Sequence, residues 1–157
     1  MRQGIASRIT IVALFALAMG YLEAVVVYYI RYALGDVHAT GSVASSLIFK
    51  FPWGIEMTRE AATLVMLATV AFLAGRDWPQ RAAALLWAFA IWDATYYLGL
   101  EILAQWPPSI VTQDVYFLLP VPWGGPVWVP LLADALMAIL AAWLISGRRR
   151  LVGRAPR

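Results

Sequence analysis

The stretch ITIVALFALAMGYLEAVVVYYIRYA, residues 9–33, sets the class of the fold. Only Glu23 and Arg31 in it are charged, and at 1.5 Å per residue a helix of this length exceeds a hydrocarbon core of about 30 Å. Backbone groups in lipid have no outside hydrogen-bond partner, so such a segment must be helical. Its start resembles a secretory leader, because Arg2 and Arg8 form a basic lead-in and Ala16-Leu17-Ala18 has the small residues of a cleavage site. The apolar run continues through Val25-Val26-Val27-Tyr28-Tyr29, which favours a retained transmembrane helix.

Three more apolar runs follow, at about residues 55–74, 82–103 and 127–146. The expected fold class is all-α: a polytopic membrane protein built as a four-transmembrane-helix bundle, one domain over residues 1–157 with a basic tail at 147–157. Composition agrees. Of 157 residues 62% are hydrophobic and 13% charged, about half the charge of a soluble domain. Twelve Lys and Arg with nine Asp and Glu cannot cover a soluble surface of this size, and disorder requires a far less hydrophobic chain. The chain has no Cys and one His. Disulfides, thiolate zinc, iron–sulfur clusters, a cysteine nucleophile, haem and multi-histidine metal sites are therefore not expected.

Orientation follows from the basic residues. Arg2, Arg8, Arg76, Arg81 and the tail arginines Arg148, Arg149, Arg150, Arg154 and Arg157 fall on one side of the four spans, against Arg31 and Lys50 on the other. Both termini are expected to be cytoplasmic in a bacterial inner membrane, with loops of about 34–54 and 104–126 facing outward. The tail reads as a stop-transfer anchor at the inner leaflet, and no nucleic-acid partner is expected. The expected partners are the bilayer and either another membrane protein or a second copy of the chain.

Small residues every four places, Ala16, Gly20 and Ala24 in the first span and Ala138 and Ala142 in the fourth, are expected packing faces. The outer loops are unusually apolar. Loop two contains Trp106-Pro107-Pro108-Ser109, then a run that includes Asp114, then Pro120-Val121-Pro122-Trp123-Gly124-Gly125-Pro126. It is expected to lie in the outer interface as an aromatic belt or as a lid, with Ser109 capping a short interfacial helix.

The ionisable residues at membrane depth carry the functional question: Glu23, Arg59, Glu60, Asp93 and Asp134, with Glu56 and Glu101 nearer the outer ends of their helices. A charge at mid-span costs about 2.5–3.5 kcal/mol, so four isolated acids would cost on the order of 10–14 kcal/mol. They must meet one another, water, a cation or a proton. Glu56 and Glu60 share a helix face, as do Asp93, Tyr97 and Glu101. Arg59 points about 100° away from Glu60, toward Asp93, Asp134 or Glu23 on another helix, and Arg31 is expected to pair with Glu56 or Glu101. Acids remain in excess.

The candidate ligand or ion pocket is therefore Glu23, Glu56, Arg59, Glu60, Asp93, Tyr97 and Asp134. Trp92, Tyr96, Trp106, Asp114 and Trp123 are the lining or lid candidates. Three readings stay open: a binding or accessory subunit of a membrane complex with a polar core, a carrier coupled to a hard cation or proton held by carboxylates, and an enzyme using carboxylic-acid chemistry on a lipid-soluble substrate.

Tyr21-Leu22-Glu23-Ala24, Arg59-Glu60-Ala61-Ala62-Thr63, Trp92-Asp93-x2-Tyr96-Tyr97, Trp106-Pro107-x-Ser109 and Pro120-Val121-Pro122-Trp123-x-Gly125-Pro126-Val127 together resemble a group of small, uncharacterised bacterial integral membrane proteins. That resemblance implies a fold and a setting and transfers no activity. Pro122-Trp123-Gly124-Gly125-Pro126-Val127-Trp128 is also similar to part of the tryptophan-rich sensory protein family, where the segment leads into an early helix. Here it precedes the last span.

Overall fold

The computed structural model describes residues 4–33 and 53–152. The expectations for loop one fall almost wholly on residues outside that set. Four helices form: α1, Ile5–Ala33; α2, Trp53–Ala74; α3, Trp78–Ala104; and α4, Trp128–Val152. Each contains a segment long and apolar enough to cross a membrane: Ser7–Ala33, Gly54–Ala74, Trp78–Ala104 and Trp128–Ser146. The helices run past the apolar windows. α1 starts before Ile9, and α4 continues through the tail arginines as far as Val152. Helical backbone satisfies itself in water as well as in lipid, so hydrophobicity bounds the span and not the helix.

Local signals explain the helix ends. Asp77 caps α3: its Oδ1 accepts the Gln80 amide at 3.0 Å, the Gln80 side chain donates back to Oδ2, and Pro79 sits in the first turn. Arg8 donates to the last carbonyl of α2, at Ala74. Arg81 donates to the Gly75 carbonyl, with its guanidinium 3.7 Å from the Phe72 ring centroid. Cations are thus placed where the α2 dipole is negative.

α3 is the central helix. It packs along α1, α4 and, more briefly, α2, whereas α2 and α4 have no substantial packing against each other. The approach of α1 rests on the small-residue stripe: Ala16, Gly20 and Ala24 are all buried. A Cβ on Gly20 would collide with the Trp92 carbonyl and come within 2.8 Å of the Thr95 Cβ, and one on Gly99 would lie 2.6 Å from the Ala24 Cβ. On α4 the stripe differs from the expected pair. Ala141 is fully buried and Ala142 is exposed, because the buried line runs from Val127, just before α4, through Asp134 and Ala141 at two-turn intervals. Most large side chains on the outer surface are apolar, among them Leu14, Leu22, Leu73, Leu136, Ile139 and Trp143, as a lipid-facing surface requires.

Loop two holds the main departure from expectation. No short helix starts at Ser109. Its Oγ and carbonyl instead accept from the amides of Val111 and Thr112, forming a turn. The chain then makes an antiparallel hairpin, β1 (Gln113–Phe117) with β2 (Trp123–Pro126), pairing Asp114 with Gly125 and Phe117 with Trp123, and bulging at Tyr116. Gly124 is required there because a Cβ would collide with the Asp114 carbonyl.

Two apolar clusters bracket the middle of the bundle. One, toward the chain termini, is Val12, Ala16, Met19, Leu67, Ala88 and Trp92. The other, toward the hairpin, is Ala24, Tyr97, Leu100, Ala104, Trp106 and Val127. Buried Glu23, Glu60, Thr63, Asp93 and Asp134 lie between them, and buried Arg31 lies against the second.

Candidate functional site

A cavity of about 310 Å³ opens in this polar layer, walled by all four helices and by the hairpin. The helical residues that line it recur with helical spacing: Glu23, Val27 and Ile30–Arg31 on α1; Glu56 and Arg59–Glu60 on α2; Phe89, Trp92–Asp93 and Tyr96–Tyr97 on α3; Pro130, Ala133–Asp134 and Met137 on α4. Each helix turns one stripe inward. All seven pocket candidates and all five lining or lid candidates from the sequence border this one space. Glu101 does not, and its side chain is exposed.

Three sets of contacts distribute the buried charge. In the first, Arg59 bridges two acids: its Nε donates to Glu56 Oε1 at 2.9 Å, its Nη2 meets the same oxygen, and its Nη1 meets Glu23 Oε2. Thr63 donates to the other oxygen of Glu23. Of the three acids within reach of Arg59 by sequence, the fold selects Glu23. α1 and α2 pack sparingly otherwise, so this clip is their principal tie at membrane depth.

The second set fastens the roof. Glu60 accepts the backbone amides of Leu118 (3.0 Å to Oε1, 3.2 Å to Oε2) and Leu119 (2.9 Å to Oε2). An acid in the second span therefore holds the end of β1 over the cavity. Aromatic stacking continues the fastening, with ring centroids 6.1 Å apart for Phe89 and Phe117 and 6.1 Å for Phe117 and Trp123. Such pairs each contribute about 0.5–1.5 kcal/mol beyond area burial.

The third set surrounds Asp114, whose Oδ2 accepts the Tyr97 hydroxyl at 2.8 Å. Burial pushes the Asp114 carboxyl above the usual aspartate range, while the Tyr97 hydrogen bond, the Val115 amide and the Arg31 charge pull it back. Arg31 departs from expectation: it pairs with neither Glu56 nor Glu101. Among the described residues both ion pairs belong to Arg59, and Arg31 lies over the Trp106 ring at 4.3 Å. The end of α3 folds Trp106 back against α1, giving Arg31 an aromatic face, and Trp106 in turn stacks on Tyr97 at 6.3 Å. Arg31 is 3% exposed, and its Nε and Nη1 are buried without hydrogen-bond partners.

Asp134 belongs to none of these sets. It is 5% exposed, and neither of its buried oxygens has a donor. What it meets is the carboxyl of Asp93, at hydrogen-bonding range. Two carboxyl groups brought this close need a proton or a cation between them. Among the described residues no group of three acidic or histidine side chains is drawn tightly enough to hold a metal ion.

Arg31, Val27, Phe89, Pro130 and Met137 line the cavity without being sequence candidates for it, although each lies three, four or eight residues from one. The amides of Leu118 and Leu119 have no side-chain signature at all. Compared with known proteins, the chain matches no family model, no curated sequence and no solved structure.

Proposed function

We propose that this protein is a small inner-membrane binding protein, acting alone or as the binding subunit of a membrane complex, whose cavity receives a small lipid-soluble molecule. In this reading both termini are cytoplasmic, the hairpin roof faces outward, and the bacterial setting is that of the small membrane proteins its motifs resemble. The observation that carries it is the roofed cavity itself, at the lower end of the volume range of small-molecule sites, with apolar and aromatic walls and a few convergent polar groups. Its most buried acid, Asp134, is left without a donor. A polar core that served only to pair helices would leave neither a cavity nor an unused carboxyl.

Native mass spectrometry on protein released from membranes tests the reading. The wild type is expected to carry a bound small molecule that Ala133→Trp, which puts an indole at the cavity wall, does not carry. If wild type and variant give identical ligand-free masses, the binding reading fails. The same spectra report any stoichiometric protein partner. A second reading, a proton-coupled carrier, is favoured by the placement of Asp93 and Asp134 on one cavity, because two neighbouring acids at membrane depth suit the uptake and release of a proton.

A further inference from the structure

We propose that the Asp93–Asp134 carboxyl pair holds one proton and exchanges it for an organic ammonium group on a small amphiphile that enters the cavity. This rests on the binding reading above and names the ligand's chemistry.

The other acids lining the cavity are already engaged, while Arg31 keeps two buried nitrogens without hydrogen-bond partners. From α1, Glu23 is held by Arg59 and Thr63, and Arg31 lies on Trp106. From α2, Glu56 is held by Arg59, and Glu60 takes the Leu118 and Leu119 amides. On α3 itself, Tyr97 donates to Asp114, and Tyr96 presents a neutral phenol to the cavity. From the hairpin, Asp114 takes the Tyr97 hydroxyl, and Tyr116 donates to the Pro126 carbonyl at 2.6 Å. Asp134, on α4, lines the cavity and is the acid left unsatisfied, with both oxygens buried and without a donor.

The remaining site has three properties that together select an organic cation. The acids at the cavity wall outnumber its two arginines, so the enclosed field favours positive charge. The wall beside Asp93 is aromatic: Trp92 lies 5.2 Å from Phe89 and 6.4 Å from Phe117, centroid to centroid. Ring faces in a dry site attract ammonium groups. Two carboxyl groups without a third do not make a metal cage, which takes six or more oxygens for calcium and near-octahedral geometry for magnesium. An ammonium with up to three N–H donors matches two carboxylates facing each other.

The exchange balances. With one shared proton the pair carries a single negative charge. When the ammonium enters, that proton leaves to water, the pair becomes doubly negative, and the ligand's positive charge restores the original total. Among the described residues α2 and α4 make little contact with each other, and the route proposed for the amphiphile from the bilayer runs between them.

The test is isothermal titration calorimetry on the full-length protein in micelles, with phenethylammonium and its neutral analogue 2-phenylethanol as probes. It is run in two buffers of different ionisation enthalpy at one pH. The expected result is binding of phenethylammonium about 10-fold or more tighter than 2-phenylethanol, with close to one proton released per ligand. Asp134→Asn and Asp93→Asn should each lose that preference and the proton release while keeping 2-phenylethanol. Asp134→Glu, which retains the carboxyl, should keep the proton release and so guards against a folding defect in the Asn variants. Equal affinity for the two probes, binding without proton release, or an undiminished preference in Asp134→Asn overturns the assignment and leaves the binding reading intact. Unchanged binding of both probes to Ala133→Trp contradicts the binding reading itself, and no binding of either probe overturns the assignment.

Discussion

Glu60→Gln is the sharpest perturbation of the roof. Glu60 is 8% exposed and accepts two backbone amides, from Leu118 and Leu119, at 2.9–3.2 Å. A hydrogen bond to a charged group contributes about 1.5–3 kcal/mol and a neutral one about 0.5–1.5 kcal/mol, so replacing carboxylate by amide loses about 1 kcal/mol per donor. Two donors give about 2 kcal/mol, a factor of about 30 in the local opening equilibrium. The amide nitrogen of Gln also faces a donor wherever it takes the place of an oxygen. Hydrogen exchange read by mass spectrometry on peptides spanning 113–123 should therefore accelerate about 30-fold, with peptides from α3 unchanged. Glu101→Gln, at an exposed residue off the cavity, should change neither. Unaltered protection of Leu118 and Leu119 in Glu60→Gln would refute the claim that this acid holds the roof.

Three further outcomes follow from the same contacts. Arg59→Met strands Glu23 and Glu56 and should lower stability by about 1–3 kcal/mol, below the range for a fully buried pair because Arg59 is partly exposed and Thr63 still serves Glu23; thermal unfolding in micelles should show the loss, and adding Glu23→Gln should recover part of it. Gly20→Ala places a Cβ against the Trp92 carbonyl and the Thr95 side chain, so it should destabilise by about 1–3 kcal/mol, whereas the same change at Gly4, which meets nothing within 4 Å, should have little effect on the melting temperature. Burial raises the Asp114 carboxyl in the folded chain, so the folded state holds that proton to higher pH than the unfolded chain does. Stability should then fall as pH rises from the ordinary aspartate range through the raised folded value, and Asp114→Asn should flatten that slope in pH-dependent melting.

What the sequence disclosed and what it withheld have a common physical cause. Glu23, Glu60, Asp93 and Asp134 were legible because charge in an apolar span is costly enough to demand a reason, and helical spacing already directed them inward. The partner of Arg59 was narrowed to three acids; choosing Glu23 required the close α1–α3 approach that Gly20 and Gly99 permit. Arg31 departs from charge pairing because its partner is an aromatic face brought back by the chain after α3. The hairpin is hidden from hydropathy, because residues 110–119 are apolar enough to pass for an interfacial segment. The alternation of Gln113, Val115 and Phe117 against Asp114 and Tyr116, followed by Gly124-Gly125, carried the strand signal. The anchoring of Glu60 by backbone amides leaves no trace in side-chain identity.

The central claim is a polar cavity at membrane depth, reached from α4 along the stripe containing Asp134. The chain has no cysteine, so one introduced thiol is a unique probe. Met137 lines the cavity, whereas its neighbour Leu136 is 58% exposed on the outer surface. Single-cysteine variants Met137→Cys and Leu136→Cys, treated in membranes with a small cationic methanethiosulfonate, compare the two faces at matched depth. The account predicts rapid modification at 137, slowed by phenethylammonium, and almost none at 136, where lipid keeps the thiol protonated. Equal inertness at both positions would contradict it.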